Sequence, residues 1–565
     1  MRIPRKIGSI WFSGLVLFVS SIALTQYRVF YGNQALQIPL VYWLQDPSLY
    51  PQDPFVSTLV RYPSMLWRVI AFSSQGVSLE TILFSAFLVE RALTLYASAQ
   101  VAKAFSTKSK LAPIGAMAMF ALAPKPILGS GTIVISYFEQ TGFAIAFLLL
   151  AAAEFYNRRN PIRWSFWLAI SFNLNGLYGG YALTYFFFVF LVDPVYRSNW
   201  RKWLKAFGIF ILLTSPVLAL AFSTRFAQES PSANLWLLAS RIRFPHHLYP
   251  LTWGRRPFLE YGVLAFTTLA VLYQRRTSLE EQRLFKHVTV WTSVSAAWLF
   301  LAFLVAYGFQ SPMLLILHPA RASDLWYCVA GIALITTIAS MLERNGDKKF
   351  TTVALLASIL FWHPIPYALA AMGVVVLISE PLWRFVFRGG KVDRLVWVVT
   401  LFVFSLSIYG WITRRDHMSI EALTVLPPPS LRDIADWAQK NTASDAVFLV
   451  DPGWDEFRSL AKRPVFVTWK DGSAMLWDRP FVTEWTNRLQ ALGCDILSQL
   501  SPCLSSADLV ITYRQLTDDD VVRLVENYKL QYWVIAVEKK SRFSVVYRNQ
   551  LYKVLDVSEA SRIGP

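Results

Sequence analysis

The chain has 565 residues, 55% of them hydrophobic, 15% aromatic and only 16% charged, with a mean hydropathy of +0.40. Soluble globular proteins carry about 25% charged residues, so this composition excludes an ordinary soluble enzyme, and a total of three cysteines excludes a disulfide-stapled scaffold. The net charge of +18 is unevenly spread, because residues 1–413 hold 35 Lys and Arg against 16 acids whereas 414–565 hold 19 against 20. A basic, apolar transmembrane domain over 1–413 is therefore expected to precede a charge-balanced soluble domain over 414–565.

A hydrocarbon core about 30 Å thick needs roughly 20 apolar residues per spanning helix. Runs of that character, with soft edges, are 7–27, 80–102, 111–124, 133–156, 163–175, 177–192, 203–224, 257–274, 288–308, 323–342, 351–363, 365–382 and 395–413. Several are short or share a break, as at Asn175-Gly176 and His363-Pro364, so the fold class is a polytopic α-helical membrane protein of about 11–13 transmembrane helices. The first run has no small-x-small cleavage site at its end and reads as a retained helix. With Met1 inside the cell, the inner loops hold 24 Lys and Arg, and the outer segments before Arg414 hold ten. That bias places the N-terminus in the cytoplasm and the C-terminal domain outside it.

Three outer segments carry the polar signal. The first outer loop, 28–79, holds Asp46 and Asp53, each before a proline, and its four prolines between 39 and 54 oppose a continuous helix. Short interfacial helices are expected there, with Trp43, Tyr50 and Trp67 at headgroup level. The second, 225–257, contains Arg241-Ile242-Arg243-Phe244-Pro245-His246-His247, and the third, 309–323, ends His318-Pro319-Ala320-Arg321. The helix ends bearing Glu139, Asn173, Asn175 and His363 face the same side. Ionisable groups at membrane depth are costly and by default face a cavity or bundle interior.

The tail opens with Pro427-Pro428-Pro429, a stiff spacer. An amphipathic helix over 431–440 follows, with strands at 446–450, 464–469, 532–538, 543–547 and 551–555. A helix over 518–529 is capped by Thr517, with three Asp in its first turn. This is a small extracytoplasmic α/β domain. Cys494 and Cys503 share one of its loops, where an oxidising exterior permits a disulfide, with two buried thiols as the alternative. Cys328 lies within a span and reads as packing.

Arg binds phosphate bidentately. Arg243 and Arg321, with His246 and His247, are thus candidates to hold a donor phosphate, while Glu139, His318 and Asn175 are further pocket candidates. A first-loop carboxylate could act as general base on an acceptor hydroxyl. Each residue also has a structural reading, namely headgroup snorkelling for the arginines and turn formation for Asp46 and Asp53. Adjacent histidines on extended chain point to opposite faces, which argues against a metal pair, so no metal site is assigned, although divalent metal dependence stays open. No P-loop, dinucleotide turn, zinc spacing or nucleophile elbow has a supporting context, and the basic charge sits in cytoplasmic loops rather than in a nucleic-acid surface.

A first helix, a long acidic outer loop, many spans and an outer α/β domain together resemble the GT-C superfamily of polytopic membrane glycosyltransferases. The strings Asp46-Pro47-Ser48-Leu49-Tyr50-Pro51-Gln52-Asp53-Pro54-Phe55, Arg243-Phe244-Pro245-His246-His247 and His318-Pro319-Ala320-Arg321 are similar to those of an uncharacterised bacterial, often cyanobacterial, group within it. The closing stretch Val546-Tyr547-Arg548-Asn549-Gln550-Leu551-Tyr552-Lys553-Val554 is similar to the last strands of such outer domains. The resemblance implies inverting transfer of a sugar from a polyprenyl-phosphate-linked donor to an acceptor glycan, lipid or protein at the outer face of the bacterial inner membrane. It gives the catalytic-base role to Asp53, or failing that to Asp46. The adjacent acidic pair that many members carry in the first loop is absent here. The alternatives are a lipid-linked glycan flippase, which needs polar residues at the midplane as well, and a non-catalytic envelope assembly protein with an apolar docking patch on its tail.

Overall fold

A computed structural model describes residues 5–122, 128–129, 133–157, 160–226, 233–343, 424–498 and 503–560. The expected spans at 351–363, 365–382 and 395–413, and His363, lie outside the described residues. The chain divides into two compact units, one of Met1–Tyr27, Ser85–Pro216 and His246–Leu423, the other of Arg28–Phe84, Val217–Pro245 and Thr424–Pro565. Where the sequence assigns only 414–565 to the soluble domain, the second unit adds the first outer loop and 217–245 to that tail.

The first unit is helical. Four described helical stretches are long and apolar enough to cross a membrane, Leu79–Phe105, Trp200–Phe222, Leu279–Phe309 and Pro312–Met341, and shorter apolar helices include Trp11–Thr25, Leu111–Ala121 and Gly176–Val192. Helix boundaries follow local chemistry. Asn160 caps Pro161–Leu174 by accepting from the Ile162 and Arg163 amides, with Pro161 at the first helical position. Asn175, extended at φ −148°, separates that helix from Gly176–Val192, at the break expected from Asn175-Gly176. Ser278 and Glu281 form a reciprocal capping box on Leu279–Phe303. The run 133–156 is shorter as a helix than expected, Gln140–Asn157, because 133–139 is irregular chain. Helix Ala322–Glu343 is apolar on every side and enclosed by its neighbours, and Cys328 is part of that packing. Tyr185 stacks on Trp291 with centroids 4.3 Å apart, at the centre of the same core. Large apolar side chains such as Leu212, Phe266 and Phe300 face outward, as lipid contact requires.

The second unit holds a four-stranded sheet of β1 (Phe448–Leu449), β2 (Tyr532–Ala536), β3 (Ser544–Arg548) and β4 (Tyr552–Asp556), in the order β1-β2-β4-β3. β1 pairs parallel with β2, the other pairs are antiparallel, and a bulge interrupts β3 between Val545 and Tyr547. Helix Pro429–Asn441 buries Leu431, Ile434, Ala435 and Ala438 against Phe448, Val534 and Val554. Thr517 caps Asp518–Tyr528 in a box closed by Asp520. The strand expected at 464–469 does not form. It is reduced to one bridge between Phe448 and Val465, because the Val465 amide donates to Asp53 and Thr468 caps a 3-10 turn, Trp469–Leu476.

The first outer loop forms short helices Gln34–Gln45, Pro54–Thr58 and Leu66–Ser73. Pro39 lies inside Gln34–Gln45, while the loop as a whole is not one continuous helix. One sequence expectation changes here, since Tyr50 and Trp67 are buried rather than displayed at an interface.

Candidate functional site

In the second unit the first-loop carboxylates are held by backbone chemistry. Asp46 ends helix Gln34–Gln45, is exposed, and accepts from the amide and hydroxyl of Ser48 at 3.0 and 2.6 Å. Those two bonds hold its carboxyl below the usual aspartate range. Asp53 is buried and caps Pro54–Thr58, its Oδ1 accepting from the Phe55 and Val56 amides at 3.1 Å each. Its Oδ2 accepts from Arg458 Nε at 2.6 Å and from the Val465 amide at 3.0 Å. Both oxygens are thus in use, and neither is open to solvent.

Arg458 is the hub of this arrangement. Its terminal nitrogens donate to both oxygens of Asp471 at 2.8 Å, its guanidinium lies 4.7 Å over the Phe55 ring, and the Tyr50 hydroxyl donates to its carbonyl. The two carboxylates outweigh burial and raise the Arg458 pKa further. Arg243, expected to hold phosphate, donates instead to the Trp469 carbonyl and the Ser473 hydroxyl, both at 3.0 Å. Burial lowers its pKa to about 10. Sequence reasoning singled out neither Arg458 nor Asp471. Nothing local ties Arg458 to Asp53, some four hundred residues away in the chain, whereas Asp471 carried a local signal as the third residue of a capping box with Thr468.

The first unit brings together His246, His247, His318 and Arg321. The His246 and His247 rings are 4.0 Å apart, and the His247 and His318 rings 6.0 Å. They are adjacent because Pro245–Leu248 is a single helical turn rather than extended chain. His247 Nδ1 lies 2.9 Å from the Gly129 carbonyl, and Arg321 Nη2 lies 3.1 Å from His247 Nε2. A carbonyl can only accept and a guanidinium can only donate, so these neighbours fix the proton on Nδ1 and leave Nε2 as an acceptor. Burial, then the Arg321 charge, hold the His247 pKa well below the ordinary histidine value. Gly129 has φ +70°, a left-handed conformation that suits glycine.

Arg321 sits on a strained turn. His318 has φ +45°, outside the range a side chain prefers, immediately before Pro319. Three tyrosines of helix Gly176–Val192 hold this turn at i, i+3 and i+7 spacing. Tyr178 donates to Asp324 Oδ2 at 2.6 Å, Tyr181 to the Leu317 and His318 carbonyls, and Tyr185 to the Ala322 carbonyl at 2.9 Å. Their helical spacing was the signal available in the sequence, and Asp324, Tyr178, Tyr181 and Tyr185 were not recognised from it. Among the described residues, Arg321 Nε, His318 Nδ1 and Asp324 Oδ1 are buried without a hydrogen-bond partner, and no carboxylate lies within ion-pair distance of Arg321. A guanidinium with a buried, open donor nitrogen is suited to an anion.

Glu139 and Asn175 belong to the same unit. Asn175 Nδ2 donates to Thr141 Oγ1 at 3.0 Å, and that hydroxyl lies 3.3 Å from Glu139 Oε1. Glu139 is half-buried, and its charge acts on Arg321. No group of three or more His, Cys, Asp or Glu among the described residues is placed to hold a metal ion. Cys494 and Cys503 form a disulfide, with Cα atoms 5.1 Å apart.

Residues 429–492 match a family described as a domain of unknown function, DUF6798, a stretch that includes Arg458 and Asp471. No curated protein matches the chain. Among solved structures, ArnT from Cupriavidus metallidurans bound to undecaprenyl phosphate is similar at 13% identity and a TM-score of 0.42, over 99% of both chains. Arabinofuranosyltransferase AftD from Mycobacteria is similar at 14% identity and a TM-score of 0.47, over 96% of this chain and 36% of its own. The oligosaccharyltransferase of Archaeoglobus fulgidus is similar at 11% identity and a TM-score of 0.40, over 94% of this chain and 69% of its own. These three are GT-C glycosyltransferases, the superfamily that the sequence resembles.

Proposed function

We propose that this protein is an inverting glycosyltransferase that moves a sugar from a polyprenyl-phosphate-linked donor to an acceptor hydroxyl at the extracytoplasmic face of the bacterial inner membrane. The observation that carries this reading is Arg321, a half-buried arginine whose buried Nε has no hydrogen-bond partner and which has no carboxylate partner among the described residues. The sequence resemblance supplies the reaction class.

In the proposed step a base takes the acceptor's hydroxyl proton, and the oxygen attacks the anomeric carbon from the face opposite the phosphate. The bond from that carbon to the phosphate oxygen breaks, and the leaving polyprenyl phosphate gains one negative charge. Arg321 stabilises that charge as it develops, which is where a preorganised donor is most effective. His247, held neutral with Nε2 toward Arg321, orients the guanidinium without adding repulsion. For the base we assign Glu139, which is half-buried and shares a unit with Arg321. Asp53, the first choice from sequence, would have to give up an ion pair and three hydrogen bonds from backbone amides before it could accept a proton.

The test is retention of undecaprenyl phosphate by the purified full-length chain in gentle detergent, read by native mass spectrometry. Wild type should retain the lipid. Arg321→Ala should weaken retention roughly 10- to 100-fold, the range of hydrogen bonds to a charged group, and Arg321→Lys should fall between, since it keeps the charge and loses the fork. Equal retention by wild type and Arg321→Ala would remove Arg321 from the site, and no retention by wild type would reject the donor class.

A further inference from the structure

Helix Leu79–Phe105 carries two adjacent ionisable residues, Glu90 and Arg91, in a stretch long and apolar enough to cross a membrane. They are 2% and 1% exposed, respectively. Charges enclosed at such a depth are expensive, and an apolar pair would be cheaper unless the polar atoms do something specific. Being neighbours in sequence, they do not face each other on the helix. Both instead reach the irregular chain that leads into helix Gln140–Asn157.

Arg91 Nη2 donates to the Ile135 carbonyl at 2.6 Å. The Glu90 carboxylate is turned toward the same segment. Glu90 Oε2 has no hydrogen-bond partner among the described residues. Oε1 faces Gly142, where an added Cβ would lie 2.3 Å from it, far inside contact distance. One helix thus meets the segment 135–142 at two points, through the Ile135 carbonyl and through a glycine that leaves room for the carboxylate. Glu139 lies between those two points in the chain, and the contacts from Asn175 to Thr141 and from Thr141 to Glu139 hold it from the other side.

We infer that Glu90 and Arg91 are positioning residues that fix segment 135–142 and thereby set where the Glu139 carboxylate is presented. The inference rests on the reading of Glu139 as the base, and it adds a supporting layer that touches neither donor nor acceptor. Glu90 contributes the shape and the oxygen that face Gly142, so a glutamine, which keeps both, should serve in its place.

The experiment is hydrogen exchange of the full-length protein in detergent, read by mass spectrometry on peptides covering 135–142, alongside undecaprenyl phosphate retention on the same samples. Glu90→Ala removes the side chain that faces Gly142, and Gly142→Ala drives the carboxylate off while leaving Glu90 in the chain. Both should speed exchange across 135–142 by about 10-fold or more, with little change elsewhere and with lipid retention within about two-fold of wild type. Glu90→Gln should restore protection. Should Glu90→Ala fail to fold, Gly142→Ala and Glu90→Gln carry the same comparison. Unchanged exchange in Gly142→Ala, or loss of protection in Glu90→Gln equal to that in Gly142→Ala, overturns the inference. Failure of wild type to retain the lipid counts against the donor reading instead, and leaves the exchange result interpretable by itself.

Discussion

Arg458 donates through Nε to Oδ2 of Asp53 at 2.6 Å, with both side chains enclosed in the core of the second unit. This pair joins the first outer loop to the tail within that unit, and it sets the first prediction. Asp53→Asn should destabilise the protein by about 3 kcal/mol, the low end for removing one partner of a buried pair, because Asp471 still neutralises Arg458. Asp46→Asn, at an exposed turn, should change stability by less than about 0.5 kcal/mol. Thermal unfolding in detergent distinguishes the two. An Asp53→Asn protein as stable as wild type but inactive would return the base role to Asp53.

Stability should also respond to His247. Its pKa in the folded protein lies well below the ordinary value, so below about pH 6.5 the unfolded chain takes up a proton that the folded site refuses. The unfolded state then binds more protons than the folded one, and this contribution falls as pH drops through that window. The unfolding temperature of wild type is expected to decline from pH 7 to pH 5, and His247→Gln should flatten the slope. An unfolding temperature that rises on acidification, or a slope unaltered in His247→Gln, would show that His247 does not titrate in this way.

The third prediction concerns the bridge between Cys494 and Cys503, which closes a loop nine positions long. Chain-entropy arguments for so short a loop give about 2–3 kcal/mol. Replacing both cysteines by alanine should lower stability by that amount, measured by thermal unfolding with and without reductant. The reductant should have no further effect on the double variant.

What could be read from the sequence depended on how far apart the cooperating residues lie in the chain. The helices Leu79–Phe105, Pro161–Leu174, Gly176–Val192, Arg256–Gln274 and Ala322–Glu343 fall close to the expected runs, because apolar length and local caps are written in consecutive residues. Within the tail, Thr517 and its three aspartates, and the three last strands, were equally local signals. The grouping of His247 with Arg321 followed from residue type, although the helical turn that brings His246 beside His247 ran against the expectation of extended chain.

Asp53 shows the opposite case. Asp-Pro before a short apolar run signals equally a helix cap and a catalytic carboxylate, and only the arrival of Arg458 and Val465 on its second oxygen separates the two. Val465 shows the same effect on secondary structure, since a residue of strand character spends its amide on a side chain. Arg243 read as a phosphate ligand because exposed arginines beside histidines bind anions, yet the Trp469 carbonyl and Ser473 hydroxyl claim it.

By itself, then, the amino-acid order determined the apolar helices, the caps and the α/β character of the tail, since each is set by neighbours within a turn or two. Only the tertiary structure decided which charges are neutralised and which stay open. Ion pairing depends on distances between segments far apart in the chain, and in a low-dielectric interior one such contact decides whether a carboxylate is paired or open.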